Sequence, residues 1–130
     1  MAGKGLDPIF AQGSPPGRSA VAVIRISGRL PDSFYNELNI KKNNRFYFLR
    51  ELDFGGFSDS CLVLNFPGPN SYTGESMLEI HSHGNQLIVS ELFRWLEKRG
   101  LREAEAGEFS KRAFLNSKIS LVEAEGVSLG

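Results

Sequence analysis

The sequence predicts an α+β fold, with a mixed β-sheet and about three helices. Runs rich in β-branched and aromatic residues, typical of strands, occur at 20–26, 46–53 and 60–66. The segment 85–99 instead repeats apolar residues at the spacing of an amphipathic helix. Because strands and helices do not alternate strictly, the pattern does not fit a simple series of β-α-β units.

Two strands separated by a stiff loop are predicted at the N-terminus. The apolar run 8–11 suits a first strand, and the Pro- and Gly-rich segment 12–19 suits a constrained loop. The run 20–26 is nearly continuous in β-branched and apolar residues, so we expect a strand covered on both faces. Arg25 interrupts it near one end, either as a functional side chain or as a snorkelling residue on an edge strand.

A short helix and a hairpin follow. Residues 30–40 predict a helix whose inner face carries Phe34, Tyr35 and Leu38. The basic, Asn-rich segment 41–45 is interpreted as a solvated turn. Paired glycines between the strands 46–53 and 60–66 predict a hairpin turn, and Cys61 is expected to be a small core residue.

The segment 65–84 carries the most distinctive chemistry. Its first part, 66–74, contains two prolines and two glycines, which predicts a rigid loop. The period then becomes two, so Glu79 and His81 project from the face opposite to Leu78 and Ile80. Since Leu78 and Ile80 suit a core, the other face is either the wall of a ligand site or a solvated strand surface.

The clearest helix is predicted at 85–99. Its apolar stripe is wide enough to cover a core, and Gly100 is placed to end it in a left-handed conformation. We assign this helix to the core and give it no chemistry. The residues 101–106 are expected to form a short extended link.

Further helical signals follow the link. Residues 108–116 predict a helix with Phe109, Ala113 and Phe114 facing inward and Lys111 and Arg112 facing outward. The capping box Ser-Leu-Val-Glu at 120–123 predicts another helix from Leu121. Because so short a helix is marginal alone, the ending is expected to lie inside a longer protein.

Length and composition limit the possible function classes. The 130 residues suffice for one domain, and 15 basic residues balance 15 acidic ones. A free-standing nucleic-acid binder usually has a basic excess, so no direct nucleic-acid contact is expected. The single cysteine excludes an internal disulfide, and neither a membrane span nor a signal peptide is evident. We expect a cytoplasmic protein.

Three motifs occur in order along nearly the whole chain. They are Pro-Pro-Gly-Arg at 15–18 with Val-Ile-Arg-Ile-Ser-Gly at 23–28, Asn-Ser-Tyr-Thr-Gly-Glu at 70–75 with Glu-Ile-His-Ser-His-Gly at 79–84, and Gly-Glu-Phe-Ser-Lys-Arg-Ala-Phe-Leu-Asn at 107–116 with Lys118 and Ala124-Glu125. With these motifs the chain resembles the N-terminal domain of the MnmE/TrmE family, GTPases that modify the wobble uridine of tRNA.

The resemblance implies a fold, an assembly and a ligand. The family's domain has the fold of the tetrahydrofolate-binding part of aminomethyltransferases, forms a homodimer, and binds a one-carbon folate near the dimer interface. The ligand is 5-formyl- or 5,10-methylene-tetrahydrofolate. Arg25, Glu79 and Lys118 match the positions that hold it. The resemblance implies neither catalytic residues nor a metal site in this chain.

The chemistry of these three residue types suits a reduced folate. Its 2-amino group and adjacent ring N–H are parallel donors, which a carboxylate such as Glu79 accepts together. Its glutamate tail is anionic, and Arg25 and Lys118 are cations able to neutralise it. Which cation meets which part of the ligand stays open.

The resemblance also assigns functions to segments beyond this chain. No Gly-x-x-x-x-Gly-Lys-Ser/Thr loop is present, so GTP, Mg²⁺ and K⁺ are expected only in a GTPase domain beyond residue 130. We expect 1–120 to be the folate-binding and dimerisation domain, and 121–130 to lead into helical and GTPase regions. Alone, the chain is expected to bind and not to catalyse. The resemblance implies that the full-length protein hydrolyses GTP during modification of the wobble uridine to a 5-carboxymethylaminomethyl or 5-taurinomethyl type. It also implies two partners, the FAD-dependent protein MnmG/GidA and tRNA.

Two other functions fit the sequence less well. A free-standing folate-dependent one-carbon transferase is disfavoured, because the chain is short and offers no evident second pocket. A dimerisation module with a decayed folate site is disfavoured by the presence of Arg25, Glu79 and Lys118.

Two further pairs of polar residues have open roles. His81 and His83 either begin a metal site or pack the adjoining loop, and we favour packing. Arg112 and Asn116 either cap the ligand or the dimer partner, or lie on a solvated helix face.

Overall fold

The computed structural model describes residues 7–13, 20–118 and 120, which form a six-stranded mixed sheet and three helices. The α+β prediction is therefore confirmed. Most of the loop predicted at 12–19, and the helix predicted from Leu121, lie outside the described residues. In chain order the elements are β1 (Ile9–Gln12), β2 (Val21–Ser27), α1 (Asp32–Glu37), β3 (Tyr47–Asp53), β4 (Ser58–Phe66), β5 (Met77–His83), α2 (Gln86–Lys98), β6 (Arg102–Glu103) and α3 (Glu108–Leu115).

The strand order across the sheet is β3-β4-β5-β2-β1-β6. All neighbours are antiparallel except β1 and β6, which are parallel. The strand β2 lies inside the sheet between β1 and β5, so Arg25 is not on an edge strand. The segment predicted as an extended link contains β6, whose partner β1 lies at the other end of the sequence.

One face of the sheet packs against α1 and α2. The core joins sheet residues such as Ile24, Val63 and Ile80 to helix residues such as Phe34 and Leu92. Its members also include Ile26, Tyr35, Leu38, Cys61, Leu78, Trp95 and Leu96. The period-two and helical patterns of the sequence therefore identified this core correctly, Cys61 included.

The opposite face of the sheet is only partly covered. Val21 and Arg25 are exposed there, so the prediction that this strand is covered on both faces is wrong. The reason is that its neighbours are antiparallel, and antiparallel sheets commonly leave one face open.

The orientation predicted for α3 is wrong at two positions. Arg112, expected outside, is only 3% exposed, whereas Phe114, expected inside, is 38% exposed. The carboxylates of Asp7 and Glu75 from other segments, together with Glu108 of α3, surround Arg112, and their charge outweighs the usual preference for an outward arginine. Ala113 is buried and Lys111 is exposed, as predicted. None of the helices in the described part of the chain has the length and apolarity to cross a membrane.

Candidate ligand-binding site

A cavity of about 830 Å³ opens on the partly covered face of the sheet. Its floor is formed by strand residues that project from this face: Ala11, Arg25, Phe66, Met77 and Glu79. One wall is the loop 70–72, and the other is the segment 104–110 at the start of α3. This volume falls within the range of small-molecule sites, roughly 300–1,000 Å³.

Two of the predicted site residues meet on the cavity floor. The register of β2 and β5 places Arg25 opposite Glu79, and Arg25 Nε donates to Glu79 Oε2 at 3.2 Å. The other carboxylate oxygen, Oε1, is 2.9 Å from His81 Nε2. Burial raises the pKa of Glu79, but the hydrogen bonds from His81 and Arg25 outweigh it and leave the pKa below its usual value. Glu79 is therefore a fixed anion, and its oxygens have further acceptor capacity for a ligand.

The third predicted residue, Lys118, is not among the residues that line the cavity. Its Nζ donates to the carbonyl oxygen of Pro69 at 3.2 Å, on the loop that continues into the wall 70–72. The fold thus brings Arg25 and Glu79 together and holds Lys118 against the loop instead.

Gly13 allows the Arg25 guanidinium to lie beside the end of β1. A Cβ atom added at Gly13 would lie 2.4 Å from Arg25 Nη1 and 2.8 Å from its Cζ, closer than real Cβ contacts. The absence of a side chain at Gly13 is therefore part of what positions Arg25.

We expect Gly13→Ala to disturb the site without disturbing the fold. The clashing atoms belong to the end of a flexible side chain, so the free energy of unfolding should change by less than about 1 kcal/mol. The pKa of Glu79 should rise, because displacing Arg25 removes one of the hydrogen bonds that lower it. An NMR titration of the Glu79 carboxyl carbon measures this.

The control for this substitution is Gly56→Ala, because nothing lies within 4 Å of a Cβ added at Gly56. It should change neither stability nor the titration of Glu79. If the titration of Glu79 is unaltered in Gly13→Ala, Arg25 has kept its hydrogen bond to Glu79 despite the added methyl group. That result would contradict the positioning role of Gly13.

The wall formed by 70–72 belongs to a tightly packed loop. A Cβ at Gly68 would lie 2.8 Å from the backbone nitrogen of Ser76, and Gly74 has a φ of +83°. Asn116 Nδ2 donates to the carbonyl oxygen of Thr73 at 2.8 Å, which attaches the loop to α3. Asn116 therefore supports the cavity wall, a role that its position on the helix did not reveal.

A buried ion network holds α3 against this loop and the N-terminal strand. Arg112 Nη1 donates to Glu75 Oε1 at 3.0 Å, and Arg112 Nη2 donates to Asp7 Oδ1 at 2.8 Å. Glu75 Oε1 also accepts from Ser27 Oγ at 2.7 Å. Sequence reasoning missed the role of Glu75, although it lies within the motif at 70–75. Arg112 does not lie on a solvated helix face, because it is buried and stabilises the loop from behind.

The other wall is fixed by a second part of the same network. Arg102 donates to both oxygens of Glu108, at 2.9 and 2.6 Å, and Glu108 also accepts from the backbone N–H of Glu105 at 2.9 Å. The hydrogen bonds from Arg102, acting against burial, lower the pKa of Glu108 to about 2. Glu108 therefore lines the cavity as an ionised carboxylate whose charge is balanced by Arg102.

Arg45 and aromatic side chains complete the cavity. The Arg45 guanidinium lies 5.3 Å from the centre of the Phe66 ring and donates to the carbonyl oxygen of Asn70. The hydroxyl groups of Tyr72 and Ser110 are 3.2 Å apart and join the two walls. The segment 41–45 is exposed, as the interpretation as a solvated turn requires, and Phe66 and the Asn70 carbonyl in addition hold Arg45 beside the cavity.

The two histidines have separate partners. His81 contacts Glu79, whereas His83 Nδ1 is 2.6 Å from Asp59 Oδ1.

Burial, with the nearby Asp59 carboxylate, raises the pKa of the Cys61 thiol to about 12, so this thiol stays protonated. Among residues 7–13, 20–118 and 120, no three His, Cys, Asp or Glu side chains are grouped to hold a metal ion.

Comparisons with known proteins agree on one family. Residues 8–118 match the family model described as GTP-binding protein TrmE N-terminus. The tRNA modification GTPase MnmE of Phenylobacterium zucineum is 46% identical over 125 residues, which are 94% of this chain and 28% of that protein. The same-named protein of Paracoccus denitrificans is 46% identical over 95% of this chain and 30% of its own length. The same-named protein of Coxiella burnetii (strain Dugway 5J108-111) is 40% identical over 124 residues, which are 94% of this chain and 27% of that protein. The chain thus spans less than a third of the length of these relatives.

Proposed function

The chain belongs to the TrmE N-terminal family, and from this premise we propose that it binds a one-carbon tetrahydrofolate. The observation that carries the proposal is the Arg25–Glu79 pair on the floor of the cavity. A cation and an anion held side by side in a concave site suit a ligand that presents both hydrogen-bond donors and negative charge.

Glu79 is proposed to accept the 2-amino group and the adjacent ring N–H of the pterin. Its lowered pKa supports this role, because an ionised carboxylate accepts hydrogen bonds at both oxygens. Met77, Phe66 and Tyr72 line the same cavity and offer apolar and aromatic surface to the rest of the ligand. The ligand is 5-formyl- or 5,10-methylene-tetrahydrofolate.

Arg25 and Lys118 are proposed as the other binding residues. Arg25 already lies on the floor beside Glu79 and needs little movement. Lys118 would have to release the Pro69 carbonyl before it reached a ligand. Because its side chain is exposed and long, that exchange costs little.

We further propose that two copies of the chain associate through the outer face of β3 and β4. Tyr47 and Leu49 are 67% and 69% exposed on this edge of the sheet. They pair with Leu64 and Leu62, so the four side chains form one apolar patch. Leu64 is the neighbour of Glu79 on β5, which makes this patch continuous with the cavity floor and supports a ligand site near the dimer interface.

The longer protein is proposed to be a cytoplasmic tRNA-modifying GTPase. Its relatives carry that activity in their names and are more than three times as long as this chain. Residues 1–120 would form the folate-binding and dimerisation domain, and 121–130 would begin the connection to helical and GTPase regions. GTP hydrolysis with Mg²⁺ and K⁺, and any work with MnmG/GidA and tRNA, would depend on those regions.

The function is tested by calorimetric titration of the chain with 5-formyl-tetrahydrofolate, at concentrations where sedimentation velocity shows a dimer. We expect saturable binding with one ligand per chain. A folded dimer that releases no heat and retains no ligand in equilibrium dialysis would contradict the proposal.

A further inference from the structure

Arg45 is a cavity-lining cation whose charge nothing in the described chain neutralises. The other arginine of the lining, Arg25, is paired with Glu79. Among the residues that the structure describes, Arg45 forms no ion pair, and its hydrogen-bond and ring partners are the Asn70 carbonyl and the Phe66 ring. We propose that Arg45 binds the carboxylates of the ligand's glutamate tail, an inference that rests on the proposed folate function.

The Arg45 guanidinium is arranged in advance for such a contact. Its Cζ lies over the Phe66 ring at 5.3 Å from the ring centre, and only Nη2 is engaged by the Asn70 carbonyl. Within the described residues its remaining N–H groups make no hydrogen bond. A planar guanidinium with free N–H groups is the best partner for a carboxylate, and its fixed position reduces the entropy lost on binding.

The positions of the two arginines along the sheet separate their roles. Phe66, beneath Arg45, is on β4, Glu79 is on β5, and Arg25 is on β2. Because neighbouring strands lie about 4.8 Å apart, β4 and β2 are about 10 Å apart with the Glu79 carboxylate between them. A pterin ring held by Glu79 therefore has a cation on either side.

The charge of the two walls gives the tail a direction. The wall 104–110 carries Glu105, which forms no ion pair within the described chain, and Glu108, which Arg102 neutralises. This wall offers an anionic tail no free cation and one repelling carboxylate. The wall 70–72 instead adjoins Arg45, which donates to the Asn70 carbonyl and has no ion pair within the described chain, so the tail runs along that wall.

The test compares two ligands that differ only in tail charge. They are 5-formyl-tetrahydrofolate and the same compound with both glutamate carboxylates converted to amides. The chain is studied as wild type, Arg45→Gln and Arg45→Lys. Arg29→Gln is the matched control, because it removes the same charge from an exposed residue that does not line the cavity. Calorimetry gives the four pairs of dissociation constants.

We expect wild type and Arg29→Gln to prefer the charged tail by on the order of tenfold. Arg45→Gln should lose this preference while binding the amide as wild type does, and Arg45→Lys should restore part of it. A loss of loop structure would instead weaken both ligands equally, so the ratio separates recognition of the tail from support of the wall.

Several results overturn the inference. Equal weakening of both ligands in Arg45→Gln assigns Arg45 to the loop alone. No tail preference in wild type shows that tail charge is not recognised, although folate binding itself stands. A preference that survives in Arg45→Gln assigns the tail to another cation, such as Lys118. If wild type binds neither ligand, the proposed function fails and this inference fails with it.

Discussion

Replacing Arg112 with alanine is expected to lower the free energy of unfolding by about 3–5 kcal/mol, the usual result of breaking a buried ion pair. The guanidinium is almost fully buried and donates to Glu75, Asp7 and Glu108. Its removal leaves Glu75, which is also buried, without its cation. Chemical denaturation followed by circular dichroism measures the loss.

The control is Arg94→Ala, which removes an exposed arginine 3.7 Å from Glu91 on α2. Exposed pairs contribute little, so its effect should stay under about 1 kcal/mol. If the stranded charge of Glu75 causes the loss, Arg112→Ala combined with Glu75→Gln should be more stable than Arg112→Ala alone. A loss near that of Arg94→Ala would show that water or rearrangement satisfies Glu75.

Replacing Glu79 with alanine is expected to weaken binding of 5-formyl-tetrahydrofolate by tenfold or more. A hydrogen bond to a charged group contributes roughly 1.5–3 kcal/mol, and the proposed contact uses two donors of the pterin. Glu79→Gln keeps one acceptor but places an amide beside the ring N–H, so it should also bind weakly. Calorimetric titration measures both variants.

Stability must be checked in the same samples, because the Arg25–Glu79 pair joins two strands. Glu97→Ala serves as the control, since Glu97 is exposed on α2 and does not line the cavity. It should bind as wild type does. Wild-type affinity in a folded Glu79→Ala variant would remove Glu79 from the ligand site.

Local sequence patterns were sufficient where one element decided the outcome. The period of two in β5 placed Glu79 and His81 on one face and Leu78 and Ile80 in the core, as the structure has them. The helix α2 was predicted to within a residue at each end, because its apolar stripe and terminal glycine are local signals.

Patterns failed where distant segments decided the outcome. Periodicity places a charged residue such as Arg112 outside, and only Asp7 and Glu75, far away in sequence, make its burial favourable. Arg45 was missed for a similar reason, since Phe66 and Asn70 turn it toward the cavity. The direct pairing of Arg25 with Glu79 depends on strand register, which no local signal reports.

The partners of Asp7 have a consequence for how the protein is made. Asp7 bonds to Arg102 and Arg112, which follow it by 95 and 105 residues, and β1 likewise pairs with β6. A chain leaving the ribosome cannot complete this corner until residue 112 has emerged. Such long-range contacts slow folding, and the cavity wall at 104–110 is among the last parts of this domain to be synthesised. The nascent chain therefore completes this cavity only after nearly all of this domain has been translated.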